Sequence, residues 1–117
     1  MLNNLLLVAL GGGIGSILRY MCQRTFNSEF PFGTLAVNIT GCFLIGIFWA
    51  LSIKGWDESK RLLLITGLCG GFTTFSAFTH ESVQMMIDNR WMIFILYTSI
   101  SIIAGLLATF AGFKLFN

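Results

Sequence analysis

Apolar residues in this chain fall in long, nearly unbroken runs separated by short polar stretches. A helix needs about 20 apolar residues to cross a bilayer, and the pattern predicts four such spans, at about 4–24, 33–53, 62–87 and 91–113. The stretches between them read as turns: Thr25 to Phe32 with the only proline, Pro31; Lys54 to Arg61; and Asp88-Asn-Arg90. Tyr20, Trp56 and Trp91 lie near predicted ends, where aromatic side chains settle at the membrane–water boundary. The expected fold is a single all-α membrane domain over residues 1–117.

The third run is interrupted. From Gly67 to Ser82 it reads Gly-Leu-Cys-Gly-Gly-Phe-Thr-Thr-Phe-Ser-Ala-Phe-Thr-His-Glu-Ser, with glycines, hydroxyls and spaced phenylalanines where lipid-facing helices carry Leu, Ile and Val. Irregular or polar backbone survives at membrane depth only where protein or an aqueous cavity covers it. The third helix is therefore expected to break near its centre, over Gly70 to Thr74.

Composition agrees with a membrane solvent. Of 117 residues, 56% are hydrophobic and 10% charged, against roughly 25% charged in soluble proteins. A net charge of +2, scattered along the chain, gives no basic patch for nucleic acid. Cys22, Cys42 and Cys69 form no C-x-x-C pair and sit in apolar stretches, so they read as small buried residues. The first apolar run has no basic stretch before it and no small-residue cleavage site after it; it reads as a retained helix rather than a signal peptide.

Four spans put both termini on one side, with Lys54, Lys60, Arg61 and Lys114; Arg24, Arg90 and Arg19 fall on the other. Orientation follows Lys/Arg asymmetry in short loops, and here the two sides nearly cancel, so either orientation is open and both can be in use. Four short helices have too little material to enclose a polar pathway. A symmetric homodimer supplies the missing surface, and insertion both ways would make it antiparallel with dual topology. The spacings Gly11-x-x-x-Gly15, Gly12-x-x-x-Ser16, Gly67-x-x-x-Gly71 and Ala108-x-x-x-Gly112 suit close helix packing, within one subunit or between two.

Few residues offer chemistry. Gly11-Gly-Gly-Ile-Gly15 lacks the last glycine of a dinucleotide fingerprint, where Ser16 stands, and no βαβ unit fits around it. Arg19 either faces a cavity or snorkels to the surface. Asn38 can bond a neighbouring helix or present its amide donors to an ion path. Phe75 and Phe78, spaced i, i+3, share a helical face; they serve packing or turn electropositive ring edges toward an anion. Carbonyls freed between Gly70 and Thr74, supplied twice by a dimer, suit a small hard cation. His80 and Glu81 fit a vestibule or interface, and Tyr97, Ser101 and Gly105 share one face of the fourth span.

Together, Gly11 to Tyr20, Gly33-Thr-Leu-Ala-Val-Asn38 and Gly67 to Phe78 resemble the Fluc (CrcB) family of fluoride channels over nearly the whole chain. The resemblance implies an antiparallel, dual-topology homodimer with two fluoride pathways in a bacterial inner membrane. It implies a structural sodium ion held by the backbone carbonyls of Gly70 and Thr73 from both subunits. It places Asn38, Thr74, Phe75, Ser76, Phe78, Tyr97 and Ser101 along the fluoride pathway, and Arg19 and Glu81 at the vestibule. Two positions depart from the family pattern: Ala77 stands where threonine is common, and Gly105 where a relative can carry a serine of the polar track, leaving that track to water or Thr109.

The expected function is passive, selective fluoride export that confers fluoride resistance, with no enzymatic step and no protein partner beyond a second copy. Two other classes fit the size: a proton-coupled multidrug exporter, or a membrane assembly subunit that transports nothing. The first needs a carboxylate deep in the first helix, and none lies between Leu2 and Cys22. The second leaves the interrupted third span unexplained.

Overall fold

The computed structural model describes residues 1–117. It is all-helical, with four stretches long and apolar enough to cross a membrane: Leu2–Phe26, Phe32–Ser52, Glu58–Ile87 and Trp91–Phe116. The chain is thus built as a multi-pass membrane protein. Its long axis is 48 Å, comparable to the roughly 40–45 Å of a bilayer with its headgroups. Only 17 of 117 residues are buried and 7205 Å² stays exposed, where a soluble protein of this mass exposes about 6,300 Å². Leu5, Ile17, Ile103, Leu106 and Leu107 all point outward, so lipid or protein must cover what the fold does not.

The helix ends follow local chemistry. Asn27 is extended and stops the first helix, and Pro31 sits just before the second. Asn89 at φ 60° turns the chain into the fourth. The stretch from Lys54 to Arg61 is not all turn. Asp57 accepts a hydrogen bond from the Lys60 amide, and Glu58 lies in the first helical turn. This cap, with its acidic first turn, starts the third helix at Glu58, ahead of the expected residue 62.

The third span changes character along its length. It is α-helical over Glu58–Lys60, π-helical over Arg61–Cys69 and α-helical again over Gly70–Phe72. Thr73 (φ −88°, ψ 158°) and Thr74 (φ −150°, ψ 119°) are extended, and helix resumes over Phe75–Ile87. Non-helical backbone is confined to two residues, narrower than the Gly70–Thr74 stretch expected. Gly70 and Gly71 stay helical, and Gly71 serves a close contact, not a turn.

That contact is with the first helix. A Cβ on Gly11 would strike the Leu63 carbonyl, one on Gly15 the Leu68 carbonyl, and one on Gly71 the Gly12 carbonyl. A second seam joins the second and fourth helices, where Gly46 meets Thr109 and Phe113, and Gly112 meets Phe43 and Ile47. Close approach of this kind drives helix association where lipid removes the hydrophobic incentive. The spacings through Gly11, Gly15, Gly67, Gly71 and Gly112 are therefore engaged inside one chain, which resolves the choice left open by the sequence.

Candidate functional site

The extended pair Thr73–Thr74 is held by the second helix. Asn38 Oδ1 accepts from the Thr74 amide at 2.8 Å, and Asn38 Nδ2 donates to the Thr74 carbonyl at 3.1 Å. One side-chain amide thus satisfies both main-chain groups of a residue that has left the helix. Thr74 in turn caps the second arm of the span: its Oγ1 accepts from the Ala77 amide at 3.1 Å and lies 3.3 Å from Ser76 Oγ.

These bonds free two carbonyls. In a continuous helix the Thr74 amide would donate to Gly70 and the Ala77 amide to Thr73. Both amides are engaged elsewhere, by Asn38 and by the Thr74 hydroxyl. Gly70 and Thr73 line the same groove, and neutral carbonyl oxygens are ligands of the kind hard cations accept. The residues present fit a sodium ion, although two oxygens from one chain leave most of a coordination shell to a second source. One of the two carbonyls between them is spent: Gly71 accepts from Arg19 Nε at 3.0 Å. Arg19 is half-buried, bound through Nε to the interrupted span, with Nη1 3.5 Å from Gln23 Oε1.

Asn38, Thr74, Phe75, Phe78 and Ser101 all border this groove, which is open on one side and has a volume of about 410 Å³. Phe75 and Phe78 lie 5.9 Å apart at 46°, and Phe78 lies 5.2 Å from the Tyr97 ring. Phe75 is 76% exposed, a heavy apolar load to leave uncovered beside the groove. Ser101 Oγ is buried without a hydrogen-bond partner, as is Thr98 Oγ1 on the same helix. Ser76 does not border the groove; it sits exposed at the start of the second arm.

Tyr97 stands apart from the groove as well. It is fully buried, and its hydroxyl donates to Glu81 Oε1 at 2.8 Å. The other carboxylate oxygen accepts from Thr34 Oγ1 at 2.7 Å and Asn27 Nδ2 at 3.2 Å. Glu81 is therefore the hub of a network joining the first loop, the second helix and the fourth helix. One edge of it opens on a small polar pocket of about 150 Å³ with His80, Glu29 and Arg90. Arg90 brings a positive charge to that pocket.

Reasoning from sequence missed Thr34, Asn27 and Cys42. Thr34 could have been found, because it lies one turn before Asn38 on the same helical face. Asn27 gave no signal, since its role depends on the chain folding back at Pro31. Thr109 does not stand in for the missing serine at Gly105. Its hydroxyl donates back to the Gly105 carbonyl at 3.1 Å, which uses its only proton.

Known proteins are similar to this chain over most of its length. The family described as CrcB-like protein, Camphor Resistance (CrcB), matches residues 6–113. A fluoride-specific ion channel FluC from Flavobacterium psychrophilum is 47% identical over 111 residues, covering 90% of each chain. The FluC of Phocaeicola vulgatus is 44% identical over 116 residues, covering 95% of this chain and 96% of its own. That of Leptospira interrogans is 43% identical over 115 residues, with 93% and 91% covered. Matches of this extent and identity leave one conclusion: the chain belongs to the CrcB family.

Proposed function

We propose that this protein is a fluoride-selective passive channel that exports the ion from a bacterial cytoplasm across the inner membrane and so confers fluoride resistance. It makes and breaks no covalent bond and is not an enzyme. The observation that carries the reading is the convergence of Asn38, Thr74, Phe75, Phe78 and Ser101 on one groove, in a chain whose relatives are named fluoride-specific ion channels.

Fluoride is small and tightly hydrated, so the path must replace water with donors. Asn38 keeps one amide hydrogen beyond the one given to Thr74. Ser101 has a hydroxyl with no other partner, and the rims of Phe75 and Phe78 add the positive edge of an aromatic quadrupole. None is a full positive charge. Conduction needs several weak sites in series, since a deep one would trap the ion.

The working unit is an antiparallel, dual-topology homodimer. Support comes from the exposure of Phe75, the open side of the groove, and the near-equal positive charge at the two ends of the bundle. Thr73 and Thr74 form the broken centre of the third span, where Gly70 and Thr73 carbonyls from both copies hold a sodium ion. When bound, that ion supplies a fixed positive charge and a tie between subunits. No nucleic acid and no other protein is required.

The test is ion flux from liposomes containing purified protein, read with a fluoride electrode after an ionophore clamps the potential. Rapid fluoride efflux without chloride efflux is expected. Folded dimers that pass no fluoride would overturn the channel, and comparable chloride flux would overturn its selectivity. Removing sodium should weaken assembly; unchanged dimer stability and flux in sodium-free buffer would remove the ion from the account.

A further inference from the structure

The second and fourth helices run in the same direction and keep one register along their whole contact. Thr34 and Tyr97 meet on the Glu81 carboxylate. One turn along, Asn38 and Ser101 border the groove together. Three turns along, Gly46 packs on Thr109. The third rung, between these, pairs Cys42 with Gly105: a Cβ built on Gly105 would find Cys42 Sγ as its nearest neighbour, at 3.5 Å. Each rung but this one carries a side-chain hydroxyl on the fourth helix: Tyr97, Ser101, then Thr109 after the gap, and of the three only that of Ser101 is without a partner.

We propose that the Cys42 thiol fills this gap, serving as the fluoride-contacting donor of the third rung in place of a hydroxyl at Gly105. This rests on the channel reading above and names a residue within that path. Cys42 borders the groove directly, on the same side as Asn38 and Ser101, and it is half-buried. Gly105 contributes no side chain, and its own carbonyl already accepts the Thr109 hydroxyl, so the fourth helix has no donor to give at this level. Ser101, one turn earlier, is buried with nothing to bond, which marks the groove as a place where donors are kept free. An S–H is a weak donor, and a weak site suits a step an ion must leave quickly.

The geometry also identifies a rescue. Contact at 3.5 Å is ordinary van der Waals distance, so a serine at Gly105 fits without displacing the neighbouring helix. Cys42→Ala should slow fluoride about tenfold, the loss of one modest hydrogen bond from the path. Cys42→Ser, which keeps a hydrogen-bond donor of similar shape, should conduct at close to the wild-type rate. Cys42→Ala combined with Gly105→Ser should recover most of what Cys42→Ala loses. Each variant is first checked as a dimer by size-exclusion chromatography. If Cys42→Ala conducts like the wild type, or Cys42→Ser is as slow as Cys42→Ala, the thiol is packing and the proposal is wrong. The same holds if Gly105→Ser rescues nothing. A silent wild type would instead overturn the channel reading, and this role with it.

Discussion

Asn38 holds Thr74 by both of its main-chain groups, at 2.8 and 3.1 Å, and this pairing lets the third span leave helical geometry inside a membrane. At that depth an unbonded amide or carbonyl finds no water. A single asparagine on a neighbouring helix replaces what the lost turn would have given.

Asn38→Ala should therefore damage the fold as well as the path. It strands the Thr74 N–H and C=O, each a cost of about 1–3 kcal/mol. A fall of several degrees in the unfolding midpoint of the detergent-solubilised protein, together with loss of flux, is expected. Asn38→Asp separates the two effects. Its carboxylate can still accept from the Thr74 amide, so it should lose less stability than alanine, yet its charge faces the groove and should stop the anion. An aspartate variant that conducts would show that the amide is structural only.

The two phenylalanines carry a prediction of opposite kind. Phe75 and Phe78 touch each other and, through Phe78, Tyr97, but they satisfy no hydrogen bond. Phe75→Ile and Phe78→Ile should keep the dimer, since a branched aliphatic fills much of the same space. Each should slow fluoride by at least tenfold by removing the electropositive rim. Flux at the wild-type rate in both would leave the rings as packing.

The glycine seams can be tested by contrast. Gly71 faces the Gly12 backbone so closely that a methyl cannot fit, whereas a Cβ on Gly13 meets nothing within 4 Å. Gly71→Ala must push two backbones apart, at about 1–3 kcal/mol or more, and should cut the yield of folded protein sharply. Gly13→Ala should leave the monomer fold intact by circular dichroism and thermal melting. Equal loss in both would mean that the seam is not what holds the first helix to the third span.

How much of this was legible follows from what each feature depends on. The four spans came from apolar run lengths, because bilayer thickness fixes a length and composition reveals it. The interrupted stretch was visible as glycines and threonines out of place, but its width was not. Gly70 and Gly71 look like a flexible pair in sequence; in space both are helical and Gly71 is where two helices touch, and Asn38, distant in the chain, selects Thr74 as the residue that leaves the helix. The partners of Glu81 were invisible for a similar reason. They come from a loop and two helices brought together only by the second helix folding back at Pro31. Arg19 was left between two readings because sequence gives depth but not direction: its Nε ends on the Gly71 carbonyl.

Glu81 supports the last prediction. Its carboxylate accepts from Tyr97 on one oxygen and from Thr34 and Asn27 on the other, so it binds three separate segments without an ion pair in the network. Hydrogen bonds to a charged acceptor contribute about 1.5–3 kcal/mol each. Tyr97→Phe removes one of them and leaves the other two. Glu81→Gln keeps one carbonyl acceptor but turns the second oxygen into a donor that faces either the Tyr97 hydroxyl or the Thr34–Asn27 pair. Both single variants should lower the unfolding midpoint, with Glu81→Gln the more damaging. Because Tyr97→Phe removes the Tyr97–Glu81 bond that Glu81→Gln weakens, at the least by taking away the acceptor's charge, their effects should not add: the double variant should fall short of the sum by about 0.5–3 kcal/mol. Strict additivity would mean that Tyr97 and Glu81 act independently, and that the second and fourth helices are joined by their glycine seam alone.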